Sequence, residues 1–417
     1  MAFHKTVLPN GLTIFVENVS GSPDAVILLG TRKGGSIYNP CGFHFIEHLL
    51  TKRGGARTAR EFSDSLDQLG VDFGAHTADS SLEITGRFKP EALSAVLRVF
   101  SKISGQSFLS ERDFGIEKGV ILVERKRSKD SAEEILDNLL HEFLFNKHPL
   151  ARPTEGTESE ITALRFEDLT ALVKNYFNPA NLIIIIVSPI EISEVLAAVT
   201  ENFAGLKKRR FVCPRIKRAK IKTTTPAVYR RKKIINAAYL IWAFPAPALS
   251  SKDYISMLVL VRILEMRMFN ESRNKKGLSY DVSHHYFNSP VIDFVTISAD
   301  CLPENVEVVS EIVEREFRKL RRRGVQESEF YDTLNVLIKK AELNTANPLE
   351  RAECLYTNMV ITGSSASLDD RLTRLREGTF ANVRSLAKRF LRPSLVKQVI
   401  LTPPTKRQLV QPSSDKI

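Results

Sequence analysis

His44-Phe45-Ile46-Glu47-His48 puts two imidazoles and a carboxylate into five residues. On a helix, residues four apart share a face, so His44 and His48 can offer two nitrogen ligands to one metal ion. Glu47 stands one position before the second histidine, within reach of a water on that metal. Zinc with three protein ligands and one open position is catalytic. It lowers the pKa of a bound water to about 7, and a nearby carboxylate can take the proton. The motif lies in the apolar run FHFIEHLL. Two histidines and a glutamate buried there without a partner would be costly, and a metal resolves that cost.

A third ligand should come from a separate helix. The segment FGIEKGVILVERKRSKD carries Glu117 and Glu124. Their spacing is two helical turns, so both share one face. Either can ligate, and two solvated carboxylates on an amphipathic helix would show the same spacing.

The elements that must position these groups follow from periodicity and turn signals. After Pro9-Asn10-Gly11 comes the strand LTIFVE, then a strand over Ala25 to Gly30. Helical patterns cover Phe43 to Thr51 and Thr58 to Leu69, and strands cover Asp72 to Thr77 and Leu82 to Phe88. Further helices precede the strand LIIIIV (Leu182 to Val187), and one more follows it. The second half repeats this order, which indicates an internal duplication. The expected fold class is α+β, two homologous α/β-roll halves with mostly antiparallel sheets covered by helices. The expected domains are 1–205, carrying the metal site, and 227–417, without one. The basic, proline-containing stretch 206–226 is the linker between them.

Composition narrows the class. With 417 residues, 43% hydrophobic and 26% charged, the chain can build large cores without disulfide staples. The four cysteines (Cys41, Cys213, Cys301, Cys354) show no paired spacing and read as reduced thiols, which suits a cytoplasmic protein. No signal-peptide pattern opens the sequence, and no apolar run approaches the roughly 20 residues of a membrane span. The net charge of +12 concentrates in Lys207 to Arg210, Arg215 to Lys222, Arg230 to Lys233 and Arg321 to Arg323. These runs are not interleaved with aromatics and accompany no nucleic-acid motif, so they read as a solvated surface rather than a nucleic-acid site.

HFIEH followed by a distant glutamate resembles the inverted-zincin, insulinase/pitrilysin-type metallopeptidases, and in particular their short processing-peptidase branch. The resemblance runs through LPNGLTIFVE, GTRKGGSIYNP, RTAREFSDSLDQLG and HPLARPTEGTES, then AFPAP, SRNKKGLSYDV and PENVEVVSEIV in the second half. It implies one zinc per chain on His44, His48 and Glu124, with Glu47 as general base and Glu117 supporting catalysis. It also implies that Tyr280 donates to an oxyanion, that Arg273 helps hold substrate, and that a peptide adds as a strand near Gly74 and Ala75. The implied function is hydrolysis of peptides or unfolded segments by a subunit that pairs, clam-like, with itself or a related subunit. The alternative is a weakly active or non-catalytic partner in a heterodimer. Three departures stand out: only Cys-Gly-Phe lies between Pro40 and His44, Gly74 replaces an expected asparagine, and His76 replaces an expected aromatic. The shortened loop and Gly74 bear on substrate geometry. His76 reads as a plain strand residue, with a substrate-facing residue or an adventitious ligand as the alternatives. In the second half RILEMRM and VLIKKAELN stand where the metal set would fall.

Overall fold

A computed structural model describes residues 3–106, 108–221, 227–230 (backbone only) and 235–404. Numbered along the chain, the strands are β1 (Phe3–Val7), β2 (Thr13–Asn18), β3 (Ala25–Thr31), β4 (Asp72–Thr77), β5 (Leu82–Phe88), β6 (Leu182–Ser188), β7 (Ala227–Arg230), β8 (Ala238–Pro245), β9 (Ser279–Ser289), β10 (Ile292–Cys301) and β11 (Lys397–Thr402). The helices are α1 (Pro40–Arg53), α2 (Ala59–Leu69), α3 (Leu93–Ser104), α4 (Glu111–Ser128), α5 (Ala132–Phe145), α6 (Glu158–Ala163) and α7 (Phe166–Tyr176). They continue with α8 (Ile192–Phe203), α9 (Tyr254–Phe269), α10 (Val306–Arg323), α11 (Glu327–Asn344), α12 (Pro348–Thr362), α13 (Leu368–Arg376) and α14 (Val383–Phe390).

The strands form two sheets, ordered β1-β2-β6-β3-β5-β4 and β7-β11-β8-β10-β9. Setting β1 aside, the two orders coincide position by position. In each sheet the first pair (β2 with β6, β7 with β11) is parallel and every other pair is antiparallel. This repeated topology carries the internal duplication read from the sequence.

The chain divides into two compact units, and they are not contiguous halves. The first comprises Met1–Arg127, Arg152–Lys217 and Lys339–Thr373. The second comprises Ser128–Ala151, Arg218–Ile338 and Arg374–Ile417. Helix α12, late in the sequence, therefore belongs to the first unit, and α5, early in the sequence, belongs to the second. The linker expected at 206–226 has no helix or strand through residue 221, and its remainder, Lys222 to Pro226, lies outside the described residues, as do Arg231 to Lys233 of the basic runs.

In the first unit both faces of the sheet are buried, and this explains the unbroken LIIIIV. One face of β2, β3 and β6 (Ile14, Val16, Ile27, Leu29, Ile184, Ile186) packs with α1, α3, α7 and α8. The alternate residues (Phe15, Val26, Leu28, Ile183, Ile185, Val187) pack with Ala352, Leu355, Tyr356 and Met359 of α12. A strand covered on both sides needs apolar residues at every position. In the second unit α5 lies against β8 and β11, and Phe145 meets Phe294 at 5.7 Å between ring centroids.

Helix α12 is fixed by polar contacts as well. The Tyr356 hydroxyl donates to the Thr31 carbonyl at 2.8 Å, beneath the strand at Gly30. A side chain at Gly30 would collide with the Tyr356 ring, its Cβ coming within 2.2 Å. Arg351, 1% exposed, donates to Glu17 on β2, to Asp369 at 2.8 Å and to the Thr345 carbonyl at 3.0 Å. Arg351→Ala strands Glu17, itself 2% exposed, as a buried carboxylate. It should lower the unfolding free energy by about 3–5 kcal/mol, the usual cost of breaking a buried pair from one side. Denaturant midpoints with unchanged slope measure this. A loss below about 1 kcal/mol, the range of surface pairs, would mean that Glu17 is rescued by another partner.

Candidate metal centre and sheet edge

Helix α1 begins where its sequence says it should. Asn39 caps it by accepting the Gly42 N–H at 2.8 Å, Pro40 occupies the first turn, and Gly54 ends it in the left-handed conformation. The loop before it is locked to the β4–β5 turn. Gly34, Ser36 and Ile37 donate their N–H groups to the carbonyls of Ser80, Ala78 and Asp79 at 3.0, 3.1 and 2.9 Å. Gly35, at φ +76°, must be glycine there, because a Cβ would lie 2.2 Å from the Ala78 carbonyl oxygen. Phe43, Phe45, Ile46, Leu49 and Leu50 bury the helix in the core of the first unit. The histidines are left facing α4.

Helix α4 brings both glutamates to those histidines, on different nitrogens. Glu124 Oε2 lies 3.1 Å from His44 Nε2 and 3.2 Å from His48 Nε2. Glu117 Oε2 lies 3.0 Å from His48 Nδ1, and its other oxygen accepts from Lys52 Nζ at 2.5 Å. His44, His48 and Glu124 each offer one ligand atom within 4.8 Å of the others, the one such group among the described residues.

A tetrahedral ion with bonds of roughly 2.0–2.2 Å holds its ligand atoms about 3.3–3.6 Å apart, so the Glu124 oxygen sits close to a ligand's distance from both imidazoles. Two imidazoles and one carboxylate are a catalytic zinc donor set. The Glu124 side chain is 50% exposed, which leaves one side of the group open. The residues present fit the metal. Glu117, fixing His48 through its far nitrogen and fixed in turn by Lys52, has the arrangement that orients a ligating histidine.

Glu47 faces the sheet edge. Its Oε2 accepts the Thr77 N–H at 2.8 Å, at the end of β4, and lies 3.7 Å from His44 Nδ1. Burial opposes charge on both residues. For Glu47 the partners His44, Thr77 and His76 outweigh it and lower its pKa, so the carboxylate stays ionised. For His44 burial is likewise overridden, by Glu47 and Glu124, which raise its pKa.

Strand β4 is the outermost strand of its sheet, so Gly74 and Ala75 lie on an open edge. A Cβ on Gly74 would meet only Thr85 Oγ1, at 3.4 Å, so the backbone does not demand glycine. His76 is exposed, pairs in register with Glu83, and is not part of the histidine–glutamate group.

In the second unit the counterpart helix α9 commits its charged residues to ion pairs. Glu265 meets Arg262 and, at 3.0 Å, His284, while Arg267 Nε donates to Glu329 at 2.8 Å. Arg273, in a π-type turn at Asn270–Asn274, donates to the Tyr280 carbonyl at 2.5 Å and stacks 4.9 Å from the Tyr280 ring centroid. Tyr280 is 75% exposed. Sequence reasoning missed Lys52 and Thr77. Lys52, one helical turn after His48, carried a usable signal, whereas the Thr77 contact needed the register of β4.

Two models of one peptidase family match consecutive parts of the chain. Insulinase (peptidase family M16) matches residues 33–158, and the peptidase M16 inactive domain matches residues 163–337. An uncharacterized zinc protease of Streptomyces coelicolor is 25% identical over 406 residues, covering 94% of this chain and 88% of its own. Among solved structures, a protease from Helicobacter pylori superposes with a TM-score of 0.87 at 19% identity, over 96% of this chain and 99% of that one. A peptidase M16 inactive domain protein from Pseudomonas fluorescens gives 0.85 at 18% identity, over 97% and 98%. At these identities the structural likenesses establish the two-sheet fold and leave the chemistry to the residues. Among the described residues no helix is long and apolar enough to cross a membrane.

Proposed function

The chain belongs to the M16 peptidase family, and from that membership we propose that it is a zinc-dependent endopeptidase acting on peptides or unfolded segments. One observation carries the reading: a single Glu124 oxygen lies 3.1 and 3.2 Å from the Nε2 atoms of His44 and His48. His44, His48 and Glu124 would hold one zinc ion per chain. When bound, zinc supplies a Lewis acid that acidifies water and polarises a carbonyl.

The remaining chemistry belongs to the chain's own side chains. Glu47, kept ionised, takes the proton of the attacking water and delivers it to the departing amine. Its bond to the Thr77 N–H ties the base to the strand edge where the substrate would add by its backbone, near Gly74 and Ala75. Glu117 holds His48 in the tautomer that leaves Nε2 free for metal.

Tyr280, whose hydroxyl engages no described residue, is proposed as the oxyanion donor and Arg273 as the group that steadies substrate. Tyr280→Phe should then lower kcat about 10- to 1000-fold with a smaller change in KM, because the bond strengthens only as charge develops. Zinc content and melting temperature should stay unchanged. A kcat equal to that of the parent protein would remove Tyr280 from the reaction.

A second reading, a non-catalytic partner subunit, has one observation in its favour: the inactive-domain model covers residues 163–337. One experiment separates the two. Metal content is measured beside hydrolysis of a quenched peptide library, with and without chelator. Zinc-dependent cleavage supports the endopeptidase, and zinc-loaded protein without cleavage supports the partner subunit.

A further inference from the structure

Two helices of the second unit carry one sign of charge into the same place. The last six residues of α10, Arg318–Arg323 (RKLRRR), hold five cations. Val383–Arg392 (VRSLAKRFLR), which is α14 and the two residues after it, holds four. Neither stretch contains a carboxylate. Helices α10 and α14 pack together, and Arg384 donates to the Arg322 carbonyl at 3.2 Å. Lys388 follows one turn after Arg384, and Arg392 Nε donates to the Lys388 carbonyl at 3.2 Å. Arg318 and Lys319 reach Glu314 and Glu316, at 3.5 and 2.6 Å. The other seven cations meet no carboxylate among the described residues, and all but Arg321 are exposed.

The helix dipole favours a cation or two in each last turn. It opposes Arg384, which stands in the first turn of α14. Like charges four residues apart, as in Arg318 and Arg322, Lys319 and Arg323, or Arg384 and Lys388, weaken a helix further. A row kept clear of carboxylates at that cost is an electrostatic surface. Its surroundings narrow what it fits. Phe317, Leu320, Leu386 and Phe390 are all buried, so no large apolar side chain stands exposed among the cations. A protein interface needs an apolar centre, and a single nucleic-acid strand needs rings to stack on. Helix α14 is bedded along Val383, Leu386, Ala387 and Phe390, so it offers a face rather than a free helix to the groove of a duplex. A layer of anionic lipid headgroups asks only for a high density of positive charge. We propose that the α10–α14 patch docks the second unit on an anionic lipid bilayer, by charge and without insertion. This is independent of the metal chemistry.

The test sediments the full-length protein with phosphatidylcholine vesicles containing about one-third phosphatidylserine, at about 0.1 M salt. The protein should pellet with them and stay in solution beside vesicles of phosphatidylcholine alone. Raising the salt to about 1 M, which shortens the screening length from about 10 to about 3 Å, should release it. Each Lys or Arg near an anionic leaflet adds about fivefold in affinity, so the triple variant Arg384→Gln, Lys388→Gln, Arg392→Gln should bind about 100-fold more weakly. Its melting temperature should hold or rise slightly, since a like-charged pair is gone. The charge-conserving triple Arg384→Lys, Lys388→Arg, Arg392→Lys should bind as the parent does. So should Lys207→Gln, Lys208→Gln, Arg210→Gln, which removes the same charge from an exposed run of the first unit. Equal losses in the two glutamine triples would reduce the effect to net charge and overturn the patch. Parent-like binding by the Arg384 glutamine triple, pelleting with neutral vesicles, or no pelleting with either vesicle would overturn it as well. Tighter binding to mixed-sequence duplex DNA at equal phosphate concentration would replace the bilayer with nucleic acid.

Discussion

Glu47→Gln should keep its zinc and lose hydrolysis by roughly 10²- to 10⁴-fold, the range a positioned general base contributes. The amide has the shape of the carboxylate and can still accept the Thr77 N–H, now 2.8 Å from Glu47 Oε2. What it cannot do is accept a proton. Because Glu47 is not among the three residues proposed to hold the metal, zinc content should match the parent protein. The loss should appear in kcat, since the substrate's backbone would meet the strand edge as before. Chelator-sensitive turnover near the parent rate in the variant would place the base elsewhere. Equal turnover that ignores chelator would reveal a contaminating protease.

His44→Ala and Glu124→Ala should each empty the site and abolish chelator-sensitive cleavage. Each removes one of three donors, and a two-donor remnant cannot compete with buffer for zinc. The two variants differ in what they cost the fold. His44 is 9% exposed inside the core-facing helix, so its loss also opens a small cavity. The Glu124 side chain is half exposed, so its removal should leave the melting temperature of the zinc-stripped protein nearly unchanged. Glu117→Ala is the control between them. It removes the anchor of His48 without removing a donor, and should weaken zinc affinity about 10- to 100-fold. Metal analysis after dialysis against graded chelator measures all three. Full zinc retention by both His44→Ala and Glu124→Ala would remove the proposed centre.

The sequence disclosed much of this arrangement because its signals are periodic. The four-residue spacing of His44 and His48 and the seven-residue spacing of Glu117 and Glu124 each fix a shared helix face. The helix pattern over Phe43 to Thr51 falls inside α1, and the strand patterns over Asp72 to Thr77 and Leu82 to Phe88 coincide with β4 and β5. Spacing could not say which glutamate meets which nitrogen. That depends on the crossing of α4 over α1, set by Phe114 and Ile121 in the core. Strand β1 escaped notice because FHKTV is a half-exposed edge with little apolar alternation. Helix α6 is only six residues, declared by its Thr157–Glu160 capping box rather than by a periodic stripe. The assignment of α5 and α12 to opposite units was not legible at all. An amphipathic stripe tells that a helix buries one face, and says nothing about which sheet receives it.

That exchange sets a timetable for synthesis. The strands of the first sheet are complete once β6 has emerged, but the helix that covers Phe15, Val26, Leu28, Ile183, Ile185 and Val187 is α12, far later in the chain. At 5–20 residues per second, the ribosome leaves that greasy face uncovered for on the order of ten seconds. During this interval the nascent chain displays the kind of surface that holdase chaperones bind and that neighbouring chains stick to. A gene fragment cut at the midpoint would keep the face bare permanently. A soluble first unit would instead have to be assembled from two pieces, one of them the stretch that carries α12.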